Sequence, residues 1–119
     1  MSDEQALHAP ELIDLEVLSV IRRHALAGRL DDRRAALALR DLEDIQLVRY
    51  PHLPLVPRAW ALRAAVTPYD AVYLALAEAL RARFVTADRA LEGVRGVRCR
   101  VEVLRAGPEG RGAVSPRPR

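Results

Sequence analysis

The alternation of apolar and polar positions along the chain predicts helices separated by short strands. Apolar residues recur at helical spacing over four stretches and run consecutively over three shorter ones. The predicted order is helix, helix, strand, helix, helix, strand, short helical turn, strand, at residues 10–27, 31–43, 45–50, 58–66, 67–80, 84–85, 89–93 and 101–104. Because helices and strands alternate, this order favours an α/β fold, a parallel sheet covered by helices.

The ends of these elements carry residues that commonly start and stop them. Pro10 lies in the first turn of the first helix, where proline is well tolerated, and Gly28 stops that helix. Three prolines then end the first strand. Thr67 is expected to cap the fourth helix, with Pro68 at its first position. Residues 67–88 are therefore predicted to form a buried helix that leads into a short strand.

Composition and charge divide the chain into three parts. Residues 1–8 are a polar lead-in, residues 9–105 form the predicted domain, and residues 106–119 have the Gly, Pro and Arg composition of a disordered basic tail. The net charge is +3, but residues 95–119 carry +5 and the rest of the chain carries −2. A basic tail fits a nucleic-acid partner, and it equally fits a solvated, disordered end.

Several kinds of site are excluded by what the chain lacks. All 19 basic residues are arginine, so there is no lysine for a Walker A phosphate loop or a Schiff base. Cys99 is the single cysteine, which excludes an internal disulfide framework and a multi-cysteine zinc site and favours a reducing, cytoplasmic location. The N-terminus lacks a signal-peptide pattern, and no apolar run is long enough to span a membrane.

Aromatic residues make up only 4% of the chain, so we expect an aliphatic core. The single tryptophan, Trp60, lies within the apolar pattern of the helix predicted at residues 58–66. We therefore expect it to anchor packing rather than to serve as a stacking platform for a nucleic-acid base.

Three carboxylates lie where an α/β sheet can bring functional groups together. Glu16 is on the first helix, away from its solvent face; Asp70 is in the first turn of the fourth helix; Asp88 follows the second strand. Clustered carboxylates repel each other unless a cation neutralises them. Oxygen ligands with few histidines indicate Mg²⁺ or Mn²⁺. Such an ion supports the cleavage of phosphodiesters.

Each of these acids also has a structural explanation, and the pattern leaves both readings open. Asp70 follows Thr67 at the spacing of a capping box. Asp88 can cap the helical turn that comes after it. Glu16 can pair with an arginine inside the fold. On this alternative the protein is an α/β scaffold, and its acids hold no metal.

Three segments resemble sequence blocks of PIN-domain ribonucleases, in particular the VapC-type toxins of bacterial toxin–antitoxin pairs. They are APELIDLEVLSVIRR, TPYDAVYLALAEAL and RFVTADRAL. The resemblance implies a PIN-like, Rossmann-like α/β fold and an endoribonuclease that depends on Mg²⁺ or Mn²⁺. It places Glu16, Asp70 and Asp88 at the catalytic, metal-holding acids of the family and Thr86 at a polar position beside them. It also implies an RNA substrate, a cognate antitoxin and a homodimer.

One part of the family pattern is not found in the sequence. PIN domains begin with a strand that ends in an aspartate, well before the glutamate helix, whereas only fifteen residues precede Glu16. Asp3, in the polar lead-in, is no replacement. We therefore expect an N-terminally truncated PIN-like domain in which the strand at residues 84–85 lacks a neighbour. Two functions stay open: a metal-dependent ribonuclease, or an inactive PIN module that binds an antitoxin or RNA.

Overall fold

The structure, a computed structural model, describes residues 6–104 and 113–116. Asp3 lies outside these residues, as does most of the basic tail. No helix in the described part of the chain combines the length and the apolar composition needed to cross a membrane. In chain order the main elements are β1 Leu7–Pro10, α1 Leu12–Leu26, α2 Asp32–Asp44, β2 Leu47–Tyr50, α3 Val56–Ala61, α4 Pro68–Leu80, β3 Ala82–Thr86, β4 Val101–Val103 and β5 Ala113–Pro116. Short 3-10 turns lie at Leu53–Leu55 and Arg89–Leu91.

Within the described residues, five strands form one sheet in the order β2-β1-β5-β3-β4. β1 pairs with β2 and β3 pairs with β4 in parallel, whereas β5 is antiparallel to both β1 and β3. The strands other than β5 therefore share one direction, and their carboxyl ends lie at the same edge of the sheet. The predicted α/β fold with parallel strands is confirmed, and β5 is the exception within it.

The chain enters the sheet earlier than the sequence predicts. The predicted helix start at Ala9 and the strandless lead-in before it are both wrong, because Leu7–Pro10 forms β1 and α1 begins only at Leu12. Ala9 is completely buried, and β1 pairs along its whole length with β2. A four-residue strand is too short for its alternation to stand out from the helical pattern that follows it.

The second difference is β5, which lies within the tail predicted to be disordered. It is inserted between β1 and β3, with Val114 opposite both His8 and Phe84. The expectation that β3 lacks a neighbour is therefore wrong, since β3 pairs on both of its sides. Strand pairing uses backbone groups, so a segment with the composition of a disordered tail can still complete a sheet. The sequence of β5, AVSP, contains no acid.

The central helix of the fold is α4, in which every residue from Asp70 to Ala77 is buried. Its start is as predicted, with Pro68 at the first position and the Thr67 side chain accepting a hydrogen bond from the backbone N–H of Asp70. At its other end Arg81 adopts the left-handed conformation, with φ 52°, and the chain turns directly into β3. Because α4 packs against β3 after this tight turn, the two run in opposite directions. The N-terminus of α4 therefore lies where β3 ends.

The short helix α3 carries Trp60 on its exposed side. Ala59 and Leu62 are buried, so they form the side of this segment that meets the core. Trp60 lies between them and is 67% exposed. The prediction that it anchors core packing is therefore wrong, because α3 is only six residues long and just one of its sides is covered.

A pair of charged side chains ties α3 to α4. The Arg58 guanidinium donates to both carboxylate oxygens of Glu78, at 2.6 and 3.1 Å, and to the carbonyl of Gly96 at 2.6 Å. Glu78 also accepts the backbone N–H of Arg98 at 2.7 Å, and its side chain is only 9% exposed. Burial acts to raise the pKa of Glu78, but the hydrogen bonds from Arg58 and Arg98 outweigh burial and hold that pKa below its ordinary value.

Replacing Glu78 should destabilise the fold in a way that depends on pH. We expect Glu78→Gln to lower the free energy of unfolding by about 1–2 kcal/mol at pH 7, because the amide cannot replace the charge-assisted hydrogen bonds. The folded pKa of Glu78 lies below the unfolded value of about 4.3, so its contribution is complete above that pH and is lost as the pH falls through the folded pKa. Urea unfolding of both proteins across this range measures the effect, and the two stabilities should converge in acid.

Glu102→Gln is the matched control, since it removes an ion pair of Arg83 and Glu102, 3.0 Å apart, in which both side chains are a third or more exposed. An exposed pair of this kind contributes about 0–1 kcal/mol. Equal losses of stability for Glu78→Gln and Glu102→Gln at every pH would show that the buried pair has no special role.

Candidate active site

Two strands end and one helix begins at one edge of the sheet. β1 and β3 both end there, roughly 10 Å apart, because β5 lies between them and neighbouring strands are about 4.8 Å apart. α4 begins at the same edge. Glu16 lies in the second turn of α1, which follows β1; Asp70 lies in the first turn of α4; Asp88 follows β3. All three predicted acids therefore lie on segments that start or end at this edge.

Asp70 is a buried carboxylate, with 6% of the residue exposed. The Thr67 hydroxyl donates to Oδ2 of Asp70 at 3.3 Å and accepts the Asp70 backbone N–H at 3.2 Å. The spacing of the capping box thus brings Asp70 into contact with the cap residue, through the Thr67 hydroxyl. Such a contact does not exclude a role in binding, because a buried charge persists only where hydrogen bonds or a cation compensate for its lost hydration.

Thr86 and Asp88 form a second capped turn at the same edge. Thr86 is the last residue of β3 and is completely buried, and its hydroxyl accepts the backbone N–H of Asp88 at 3.1 Å. Oδ1 of Asp88 accepts the N–H of Ala90 at 2.9 Å, which caps the 3-10 turn that follows. Thr86 thus holds the backbone of Asp88 in place, and Asp88 is half-buried beside it.

Asp70 and Asp88 line the same cavity, of about 480 Å³. An acid from the start of α4 and an acid from the end of β3 are thus brought to one space, although eighteen residues separate them in the chain. Thr67 and Arg63 also line this cavity. Arg63 thus adds a positively charged residue to the wall that carries the two acids, a combination suited to a ligand that contains both a cation and a phosphate.

Glu16 has a different environment from the other two acids. It is not among the residues that line the cavity. Its carboxylate accepts a hydrogen bond of 2.6 Å from the hydroxyl of Tyr73, a residue that is completely buried. Tyr73 lies one turn after Asp70 in α4. This bond therefore holds Glu16 of α1 beside the turn of α4 that follows Asp70.

The two carboxylates of the cavity, those of Asp70 and Asp88, are oxygen ligands of the kind that a hard divalent cation prefers. Within residues 6–104 and 113–116, no group of three or more His, Cys, Asp or Glu side chains is close enough to hold a metal. Mg²⁺ is commonly held by one or two carboxylates, with water and substrate phosphate completing its coordination. Asp70 and Asp88 supply two such carboxylates on one cavity. The assignment of all three acids as metal ligands stays a prediction.

Two residues of this region were not found from the sequence. Tyr73 lies three positions after Asp70 in a helix of mostly aliphatic residues. Residues at this spacing lie on the same side of a helix, so the sequence alone predicts that Tyr73 lies near the acid. Arg63 carries no local signal, because its place in the cavity wall depends on how the segment between α3 and α4 folds. Only the tyrosine could have been noticed in advance.

The sequence that forms this edge is similar to sequences of known proteins. The sequence pattern of the PIN domain matches residues 1–97, a range that contains Glu16, Asp70, Thr86 and Asp88. The chain is 39% identical over 100 residues to VapC ribonuclease Mb0985 of Mycobacterium bovis and to ribonuclease VapC9 of Mycobacterium tuberculosis, covering 84% of this chain and 79% of each relative. It is also 39% identical over 103 residues to ribonuclease VapC1 of Mycobacterium tuberculosis, covering 86% of this chain and 77% of the relative.

The hydrogen bond between Tyr73 and Glu16 should appear as an energetic coupling. We expect Tyr73→Phe and Glu16→Gln each to lower the free energy of unfolding by about 1–2 kcal/mol, because a hydrogen bond to a charged group is lost or weakened. The double variant should lose less than the sum of the two, by at least about 0.5 kcal/mol. Urea unfolding of the four proteins measures this coupling, and strictly additive losses would mean that the bond contributes nothing.

Proposed function

The chain belongs to the PIN-domain family, and from this membership we propose that it is a Mg²⁺-dependent endoribonuclease, the toxin of a type II toxin–antitoxin pair. The observation that carries the proposal is the shared cavity of Asp70 and Asp88 at the carboxyl edge of the sheet. The relatives named above are ribonucleases by name. An RNA substrate follows from that likeness.

Each residue of the edge has a distinct part in this proposal. Asp70 and Asp88 hold Mg²⁺ or Mn²⁺ through carboxylate oxygens, and Glu16 is the third family acid. When bound, the ion activates a water molecule and stabilises the charge that develops on the phosphate. Thr86 holds the backbone of Asp88 through its hydroxyl, and Tyr73 orients Glu16.

Arg63 is the residue of the cavity suited to the substrate. Its guanidinium is positively charged at every pH of interest and binds phosphate oxygens through directed N–H groups. Placed in the same cavity wall as the two acids, it can hold an RNA phosphate next to the carboxylates that hold the ion. The acids alone would repel the RNA backbone, and the cation and Arg63 would both offset that repulsion.

Partners and location follow from the same family likeness. A cognate antitoxin protein is expected to inhibit the toxin, as VapC-type toxins are paired with one. A homodimer and a cytoplasmic location stay predictions.

A second function, a PIN module that binds an antitoxin or RNA without cleaving, has one specific observation in its favour. The strand that lies beside β3, β5, contributes no acid to the edge, and in the described residues only two acids share the cavity. On this alternative the purified chain binds an antitoxin peptide or RNA but shows no Mg²⁺-stimulated cleavage.

Replacing either cavity acid should abolish cleavage and leave the fold intact. We expect Asp70→Asn and Asp88→Asn each to reduce Mg²⁺-dependent cleavage of a labelled RNA by at least about 100-fold, because metal-ion catalysis supplies several kcal/mol and each 1.4 kcal/mol is a factor of ten. Asparagine caps a helical turn as well as aspartate does, so Asp88→Asn should keep its structural role. Cleavage of the RNA with and without added Mg²⁺, together with thermal unfolding of each variant, measures both effects.

The matched control is Asp31→Asn. Asp31 is an exposed N-cap of α2 that accepts the N–H of Arg34 at 2.8 Å, so the substitution repeats the loss of a capping carboxylate outside the cavity. It should leave cleavage unchanged. Full activity in Asp70→Asn or Asp88→Asn would remove the assignment, and a wild-type chain that binds without cleaving would favour the second function.

A further inference from the structure

An apolar groove of about 330 Å³ lies next to the acid cavity and exposes two aromatic residues. Trp60 is 67% exposed and Tyr69 is 56% exposed. His52 and Val56 also line the groove. Exposed aromatic rings of this size are unfavourable in water unless they have a partner, and they mark binding surfaces when they lie together.

Arg63 shapes one side of this groove. Its guanidinium lies over the Trp60 ring, 4.6 Å from the ring centroid, and its Nη1 donates to the Trp60 carbonyl at 3.1 Å. These two contacts hold the arginine and the indole as one unit. A guanidinium has five N–H donors, so most of them stay available for a ligand.

The groove and the acid cavity are adjacent and share part of their walls. Arg63, Val66 and Pro68 line both of them. Asp70 lies two residues after Pro68, and Tyr69 lies between them in the sequence, with Tyr69 lining the groove and Asp70 lining the cavity. A ligand that occupies the cavity therefore has the aromatic groove as its immediate neighbour.

We propose that the groove binds an unpaired base of the RNA substrate, with the base stacked on Trp60 and Tyr69 while Arg63 contacts the adjoining phosphate. The inference rests on the proposed ribonuclease function. If the cavity holds a phosphate of RNA, the adjoining groove is the place for a base of the same strand. Aromatic side chains beside a cationic groove are the usual means of holding single-stranded nucleic acid, since every base has a face that can stack.

Charge favours this occupant over a protein segment. Arg63 is the cationic residue common to the groove and the cavity, and it lies where a backbone phosphate would follow the base. An aliphatic peptide could fill the groove but would offer no anionic group to the Arg63 guanidinium. A protein occupant, either an antitoxin or a second copy of this chain, is an outcome that the experiment below distinguishes.

The test measures binding rather than cleavage, in the absence of divalent ions. The probe is a fluorescein-labelled single-stranded RNA of mixed sequence, twelve nucleotides long, and a strand of equal length without bases, built from tetrahydrofuran phosphate units, is its counterpart. Fluorescence anisotropy gives the affinity of the full chain and of its Trp60→Ala, Trp60→Phe and Leu26→Ala variants for both strands. Leu26 is the matched control, because it is 71% exposed and does not line the groove.

We expect Trp60→Ala to weaken binding of the RNA by about 5- to 150-fold, the range measured when one stacking side chain is removed. Trp60→Phe should recover most of the affinity, and Leu26→Ala should bind like the wild type. All four proteins should bind the strand without bases equally, because only the phosphate contacts remain. Since Trp60 is exposed, thermal unfolding should show the fold unchanged in each variant.

Unchanged RNA affinity in Trp60→Ala would overturn the inference. So would an equal loss of affinity for the strand without bases, which would mean that the indole acts through the backbone. If Trp60→Ala instead prevents self-association in sedimentation, or binding of an antitoxin, while RNA affinity stays the same, the groove belongs to a protein partner and the inference is wrong.

Failure of the proposed function would look different. In that case the wild-type chain does not cleave RNA when Mg²⁺ is added, whatever the anisotropy shows. Cleavage that depends on Asp70 but not on Trp60, with RNA affinity unchanged in Trp60→Ala, would leave the ribonuclease proposal standing and remove only the base-binding groove.

Discussion

The burial of α4 against the sheet is the contact on which the rest of the molecule depends. The helix lies on β1, β5 and β3, and every residue from Asp70 to Ala77 is buried. Its alanines let the helix approach the strands closely, and the ring of Tyr73 meets that of Phe84 with 5.8 Å between centroids. Since the turn at Arg81 joins α4 directly to β3, this packing also determines which sheet edge receives the start of the helix. A shift of the helix by one turn, about 5.4 Å, would withdraw Asp70 from the cavity that it shares with Asp88.

The structural and the functional explanations of the acids are compatible. Thr67 and Thr86 each hold the backbone of an acid through a hydroxyl, so the positions of Asp70 and Asp88 depend on local hydrogen bonds that form whether or not a ligand is bound. On the proposed function, a site built from such capped turns is organised before its ligand arrives, which reduces the entropy lost on binding. Glu16 is positioned differently, through a side-chain contact with Tyr73 that joins two helices far apart in the sequence.

The sequence predicted the local features of this fold better than the long-range ones. The Thr67 cap, the helix after it and the strand that ends at Thr86 follow from residues within a few positions of each other, and the structure has them. β1 was missed because its residues run into the helical pattern that follows them, and β5 was missed because its surroundings have the composition of a disordered tail. Both strands are formed by pairing with distant backbone, which leaves little trace in the local sequence. For the candidate site, Asp70 and Asp88 were predicted from their places at element ends and Glu16 from its position away from the solvent face of its helix. Arg63 and the exposure of Trp60, in contrast, depend on how far α3 extends.

The position of β5 has a consequence for how the chain acquires its structure. His8 and Val114 are partners in the sheet although more than a hundred residues separate them. The pairs β1–β2 and β3–β4 are each formed from segments much closer together in the sequence, so they can form without β5. Until β5 has been made and inserted, β1 and β3 each present an open edge, and open edges invite pairing with other chains. Completion of this sheet is therefore a late, non-local step, which is the kind that slows folding.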